Sequence, residues 1–197
     1  MSPGKHLYYF NILHSEEEIG LQGRSDKEGY DLTWERIIDR IPQLHPPPVK
    51  MYNDTLWIEH PSTLYPPEKV PQALAEYDLP EGHNKRILLH LAGKGASLVP
   101  CEDKALLVKW MSLDDECLEK EAHGTLALKD QTRRYALLMD RNRFIAQRVA
   151  DTLNPGEYGI LFLGYVHNVY GIMVTLLEGL GLSVVEFNPE VRYELKY

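Results

Sequence analysis

The sequence predicts a three-layer α/β fold, in which a mostly parallel β-sheet is covered by helices on both faces. Three observations predict it. Strand-like apolar runs alternate with helical patterns along the chain. The last part, residues 158–187, follows the order strand, helix, strand, which is typical of parallel pairing. The 197 residues, 44% of them hydrophobic, suffice for one core, and no shift in composition marks a second domain. We therefore expect a single domain over residues 1–197.

The first half of the chain opens on the apolar run Leu7–Leu13, which predicts a buried strand. A helix is expected over Thr33–Ile41, with Thr33 as its N-cap and Pro42 beyond its end. Three prolines then lead into a short strand over Val49–Tyr52. The proline-rich and aromatic stretch Thr55–Pro67 has no clear period, so we expect a long surface loop that could pack against another subunit.

The second half predicts further alternation of helices and strands. Helical patterns are expected at Glu68–Tyr77, Asn84–Ala92, from a cap at Glu102-Asp103 to Met111, Thr125–Leu153 and Val169–Leu180. Strands are expected at Ala96–Pro100, Tyr158–Gly164 and Leu182–Phe187. The stretch Asp114–Glu121 is acidic and weakly periodic, so we interpret it as a connector.

Charge, cysteine content and the absence of long apolar segments limit the expected partners and the expected location of the protein. The formal net charge of −8 makes nucleic acid a poor partner. Cys101 and Cys117 form neither a metal-binding pair nor a disulfide framework, which favours a reducing compartment. We also expect no membrane span and no targeting segment, since the start lacks the apolar core of a signal peptide. The expected location is the cytoplasm.

Ligand-type residues follow four of the predicted strands, namely His14, Asp54, Glu102 and His167. In α/β folds the ligand site lies beyond the carboxyl ends of the strands, so these side chains should converge. Two imidazoles with carboxylates are a common ligand set for manganese, cobalt or zinc, and such a metal makes hydroxide available at neutral pH. The alternative interpretation is that each strand ends at the surface, where polar residues belong.

Two further residues are candidates for catalysis. Within the acidic turn Glu16-Glu17-Glu18, Glu17 is the preferred general base or partner of the His14 imidazole, although three successive acids also suit a solvated turn. Arg141 and Arg148 lie seven residues apart on one face of a helical stretch that is locally basic, and the guanidinium of one of them can bind an anionic substrate group. Most of the other basic residues there are explained by a solvated face.

Several common enzyme motifs are absent from the sequence. It contains no P-loop, no Gly-x-Gly-x-x-Gly fingerprint, no Gly-x-Ser-x-Gly elbow and no His-Glu-x-x-His. Nucleotide-dependent enzymes and serine hydrolases are therefore disfavoured.

Three parts of the second half of the chain resemble a known signature. They are the segment Leu137–Ala146, the strand Tyr158–Gly164 with His167, and the final Gly181 with Leu182–Phe187. Together they resemble the C-terminal signature of the TraB/TIKI/EreA/ChaN-like superfamily. In that signature a helix with an acid-Arg-Asn/Asp start precedes a strand that ends in Gly-x-x-His. Near the N-terminus, Asn11-Ile-Leu-His14 resembles the first Gly-x-x-His of the superfamily, with Asn in place of Gly. The segment Cys101–Leu107 is also similar to a group of uncharacterised prokaryotic proteins.

The resemblance implies a three-layer α/β fold with His14, His167 and Arg141 at one site. It implies a divalent-metal hydrolase for TIKI-like members, an esterase for EreA-like members and haem binding for ChaN-like members. Three hypotheses follow. The first is a metal-dependent hydrolase of a small-molecule or peptide substrate. The second is a non-enzymatic protein that binds haem, through Tyr165 or a histidine, or another anionic small molecule. The third is an interaction protein whose polar strand ends are only surface.

Overall fold

A computed structural model describes residues 4–14, 27–60 and 63–187, without the side chains of 27, 28, 169 and 170. Five parallel strands form one sheet in the order β3-β2-β4-β1-β5. The strands are β1 (Lys5–Ile12), β2 (Lys50–Trp57), β3 (Ser97–Glu102), β4 (Tyr158–Gly164) and β5 (Leu182–Phe187). The helices are α1 (Lys27–Arg40), α2 (Val70–Glu76), α3 (His83–Gly93), α4 (Lys104–Ala122), α5 (Leu128–Thr152) and α6 (Ile172–Gly179).

Helices cover both faces of the sheet, as the sequence predicts. On one face α1, α2 and α3 pack through residues such as Trp34, Leu74 and Leu88. On the other face α5 and α6 pack through residues such as Val149 and Met173. The strands β1 to β4 are buried on both sides, because their alternate residues belong to the two cores, whereas the edge strand β5 is mostly exposed or half-buried. The three-layer α/β fold is therefore confirmed.

Two strands have the predicted bounds, Tyr158–Gly164 and Leu182–Phe187. Asp103 caps α4, since its carboxylate accepts a hydrogen bond of 2.8 Å from the backbone N–H of Leu106. These local signals are strong because a buried β-branched or aromatic run, and a carboxylate before a helix, have few alternatives.

Three local predictions are wrong. Thr33 does not cap a helix but lies inside α1, where its hydroxyl donates to the backbone oxygen of Gly29. The expected connector Asp114–Glu121 belongs to α4, because Leu113 and Cys117 bury one face of it. The expected loop from Thr55 onward begins as strand, since β2 continues to Trp57.

In the residues that the structure describes, no helix combines the length and the apolar character that crossing a membrane requires.

Candidate functional site

The carboxyl ends of β1, β2 and β4 meet at one edge of the sheet. Ile12 of β1 pairs with Gly164, the last residue of β4. Asn53 of β2 pairs with Phe162 of β4, and the register of β2 then shifts against β3 between Asn53 and Trp57. Such an irregularity re-aims side chains at a strand end. It places Asp54 beside the end of β4, opposite His14.

Asp54 is the centre of this edge. Its Oδ2 lies 3.1 Å from Nε2 of His14 and 3.5 Å from Nε2 of His167, and it accepts a hydrogen bond of 2.7 Å from the backbone N–H of Gly164. Burial alone raises the pKa of Asp54, but His14 and the Gly164 N–H outweigh burial and hold this pKa well below its usual range. Asp54 is therefore an ionised carboxylate, and it is buried.

Gly164 is required by this close approach. A Cβ at position 164 would lie 2.9 Å from Nε2 of His14 and 3.2 Å from Oδ2 of Asp54. Cβ atoms essentially never approach another atom as closely as the first distance, and the second is tight, so a residue with a Cβ would displace the imidazole and press on the carboxylate. The glycine of Gly164-Tyr-Val-His167 thus has a physical reason in this chain.

The tautomer of His167 is determined by Asn142 of α5. Asn142 Nδ2 donates a hydrogen bond of 2.9 Å to the backbone oxygen of His167, and its Oδ1 lies 2.6 Å from Nδ1 of His167. A carbonyl oxygen only accepts, so Nδ2 must face it and Oδ1 must face the ring. Nδ1 of His167 is therefore the protonated nitrogen, and Nε2 carries a lone pair when the ring is neutral.

The His167 ring is neutral at physiological pH. Burial, reinforced by the nearby positive charge of Arg141, lowers the pKa of His167 to about 3. Its unprotonated Nε2 consequently faces the ionised oxygen of Asp54 across 3.5 Å. Two hydrogen-bond acceptors that face each other without a shared proton repel one another.

Glu102 and Arg141 form a buried ion pair at the adjacent strand end. Oε2 of Glu102 accepts hydrogen bonds from Nη2 of Arg141 at 2.7 Å and from its Nε at 3.2 Å. Oε1 accepts a weaker bond of 3.3 Å from the backbone N–H of Asp103. The Arg141 guanidinium also lies over the ring of Trp110, 4.7 Å from its centre. Arg141 is thus fixed from two sides.

The ionisation of Glu102 differs from that of Asp54. Burial raises the pKa of Glu102 to about 7, and the nearby charge of Asp54 adds to this, although Arg141 favours the ionised form. A carboxyl with this pKa exchanges a proton near neutral pH, as a general acid or base must.

Buried polar atoms without a hydrogen-bond partner cluster at this end of the sheet. Among the described residues they include Oδ1 of Asp54, Nη1 of Arg141 and the indole N–H groups of Trp57 and Trp110. A buried polar group that lacks a partner costs about 1–3 kcal/mol. Their clustering is the feature expected of a site that a ligand completes.

The structure brings together three of the predicted metal ligands, His14, Asp54 and His167, with Arg141 one strand away. Glu102 lies at the same sheet edge, but its hydrogen bonds are with Arg141 and Asp103. Glu17 lies outside the described residues. Within the part of the chain that the structure describes, no group of three or more His, Cys, Asp or Glu residues is arranged to hold a metal ion.

Sequence reasoning missed Asn142 as an orienting residue. The signal for it was present, because Asn142 lies three residues before Ile145 and seven before Val149 on the buried stripe of α5. A polar residue on an apolar stripe needs a partner in the core. Trp57 and Trp110 carried no such signal, since aromatic residues are common in any core.

Comparisons of the chain with protein family models, with curated proteins and with solved structures give no significant match in any of the three. The function therefore has to be inferred from the site itself.

Proposed function

We propose that the chain is a divalent-metal-dependent hydrolase whose ion is held by His14, Asp54 and His167. One observation carries this: the lone pair on Nε2 of His167 faces the ionised Oδ2 of Asp54 at 3.5 Å, with no proton between them. Asn142 keeps the proton on the other ring nitrogen. A cation between the two acceptors turns their repulsion into coordination.

The residues fit such an ion. Neutral imidazole and carboxylate are the ligands that zinc, manganese and cobalt accept. Two bonds of about 2.0–2.2 Å that diverge by about 90–110° place their donor atoms about 2.8–3.6 Å apart. The contacts of Asp54 with His14 at 3.1 Å and with His167 at 3.5 Å lie in that range. No group of three such residues in the described part of the chain is arranged to hold an ion, so binding would have to draw His14, Asp54 and His167 closer around it.

The protein groups around the ion have separate roles. Asn142 orients the His167 ring, as the second partner of a metal-bound imidazole does. Glu102, with a pKa of about 7, accepts or donates a proton near neutral pH, and Glu17 is retained as a second candidate base. Arg141 binds a negatively charged group of the substrate. The ion, when bound, lowers the pKa of a water ligand to about 7 and polarises the bond to be cleaved.

The resemblance to the TraB/TIKI/EreA/ChaN-like superfamily supports the same function, since its TIKI-like members are metal hydrolases. The residues that carry the resemblance, His14, Arg141 and His167, lie at this one edge of the sheet. We accordingly propose membership of this superfamily, with a small-molecule or peptide substrate and manganese, cobalt or zinc as the ion.

Calorimetric titration of the chelator-treated protein with manganese, cobalt and zinc, followed by assays on chromogenic ester and amide substrates, tests the proposed function. We expect one ion per chain, metal-dependent hydrolysis, and loss of both in His14→Gln, Asp54→Asn and His167→Gln. His123→Gln is a matched control, because His123 is exposed and follows the far end of α4. Tight binding by none of the three ions, or hydrolysis that survives Asp54→Asn and chelation, contradicts the function.

Anion binding without catalysis is the second candidate, and the unpartnered Nη1 of Arg141 favours it. Haem has less support, because His167 is only 2% exposed and its Nε2 already faces Asp54. A protein that binds anions but no metal would establish this alternative.

A further inference from the structure

Next to the proposed metal site, the carboxyl end of the sheet carries buried hydrogen-bond donors that no group in the described part of the chain accepts. These are Nη1 of Arg141, Nε1 of Trp57 and Nε1 of Trp110. Arg141 is 3% exposed, and both tryptophans are half-buried with their N–H groups out of solvent. An indole N–H and a guanidinium N–H can only donate, so all three lack acceptors.

Glu102 connects these donors in space. Trp57 is the register partner of Glu102 where β2 meets β3. Arg141 binds Glu102 from α5 and lies over the ring of Trp110, which belongs to α4. The three donors therefore come from three elements that meet at one carboxylate.

A second positively charged side chain lies beside these donors. Lys104, the first residue of α4, places its Nζ 4.7 Å from the centre of the Trp57 ring. Arg141 and Lys104 thus contribute two positive charges beside the carboxyl groups of Glu102 and Asp103. The carboxylate of Asp103 is engaged by the N–H of Leu106 as the cap of α4. What distinguishes the group is its excess of hydrogen-bond donors, together with two cationic side chains.

We propose that Trp57, Trp110, Lys104 and Arg141 form an oxyanion-binding subsite that holds a carboxylate or phosphate group of the ligand. An oxyanion of either kind offers several acceptors, and it can take an N–H from Arg141 and from each indole while Lys104 neutralises its charge. In the proposed hydrolase, this subsite recognises the substrate and selects acidic substrates, and that role rests on the proposed function. Anion binding itself does not require the metal.

Nuclear magnetic resonance of the indole N–H groups tests the subsite directly, because the chain has three tryptophans. The Trp34 indole donates to the backbone oxygen of Leu13 and serves as an internal reference. Trp57→Phe and Trp110→Phe assign the other two signals and remove one donor each while they keep an aromatic ring. Inorganic phosphate and acetate are titrated into the metal-free protein, with chloride at equal ionic strength as the reference.

We expect phosphate or acetate to shift the Trp57 and Trp110 signals downfield in a saturable manner and to leave the Trp34 signal in place. Affinity should fall about tenfold in each Trp→Phe variant and in Arg141→Lys. Lys104→Gln should weaken it less, about threefold, because Lys104 is exposed, and the matched surface variant Lys109→Gln should not change it. The stronger of the two anions identifies the group that the subsite selects.

Two results would overturn the subsite: no saturable shift of either indole with both anions, or an affinity that Trp57→Phe, Trp110→Phe and Arg141→Lys leave unchanged. These outcomes are separate from those of the metal titration. Saturable anion binding in a protein that binds no metal supports the subsite and contradicts the hydrolase. Metal binding without anion binding supports the hydrolase and contradicts the subsite.

Discussion

The two ends of the sheet differ in whether their buried charged groups have all their hydrogen-bond partners. At the amino end, Lys50 donates to the Glu157 carboxylate at 2.5 Å and to the backbone oxygen of Thr152 at 2.7 Å. Both oxygens of Glu157 also accept from Asn154. At the carboxyl end, Oδ1 of Asp54 and Nη1 of Arg141 are buried without a partner in the described residues.

This difference separates structural charges from functional ones. A buried charge that serves only stability is paired within the protein, because an unpaired one costs folding free energy. The amino end follows that rule. The carboxyl end departs from it at several neighbouring atoms, which is explained if a cation and an anion complete the pairing.

Two glycines of β4 provide the largest contrast. Gly164→Ala at the carboxyl end places a Cβ 2.9 Å from His14 Nε2, so metal affinity should fall at least about 100-fold. Gly159→Ala at the amino end meets apolar atoms of Leu7, Tyr52 and Leu153 at 3.1–3.3 Å, so it should cost about 1–3 kcal/mol of stability and leave metal affinity intact. Calorimetry and denaturant unfolding of both variants measure this; equal metal affinities would contradict the role given to Gly164.

Asn142 should act on the metal through His167. Asn142→Leu removes the acceptor of the Nδ1 proton, and metal affinity should fall about 10–100-fold. Asn142→Asp keeps an acceptor for that proton and should retain more of the affinity. If the two variants lose affinity equally, in proportion to their loss of stability, Asn142 is merely structural.

Lys50 should affect stability alone. Lys50→Met removes the hydrogen bonds to Glu157 and Thr152, which should lower the free energy of unfolding by about 1.5–3 kcal/mol. Metal and anion affinities measured at full folding should equal those of the unchanged protein. A loss of either affinity would show that the two ends are coupled.

Acid should lower the free energy of unfolding because His167 is buried as a neutral ring. Its pKa is about 3 in the folded protein, against an ordinary value of 6.5. The unfolded chain therefore binds the proton more readily, and the contribution of His167 to stability is complete above pH 6.5 and is lost as the pH falls towards 3. Between about pH 7 and about pH 5, with a chelator present, unfolding free energy should fall by up to about 2 kcal/mol more than in His167→Gln. Identical falls would contradict the neutral ring.

The sequence predicted the convergence of the site better than its chemistry. Buried strand runs such as Tyr158–Gly164 are local signals, and parallel strands necessarily bring their carboxyl ends to one edge. That sufficed to bring His14, Asp54 and His167 together. It did not suffice for Glu102, because only the fold shows that Arg141 of α5 reaches this carboxylate first.

Other features depend on long-range packing, so the sequence alone does not predict them. The irregular register of β2 that turns Asp54 towards β4 arises from pairing with two neighbouring strands. Whether the indoles of Trp57 and Trp110 find acceptors depends on elements distant in sequence. The length of α4 was missed for a similar reason, since its acidic second half is stabilised by packing against α5.

The imidazole nitrogen resonances of His14 and His167 test the central claim most directly, because they report where each proton lies and whether a metal replaces it. In ¹⁵N-labelled protein, with His14→Gln and His167→Gln for assignment, His167 should carry its proton on Nδ1, and one equivalent of zinc should shift its Nε2 signal. A proton on Nε2 of His167, directed at Asp54, together with no change on adding zinc, would contradict the account.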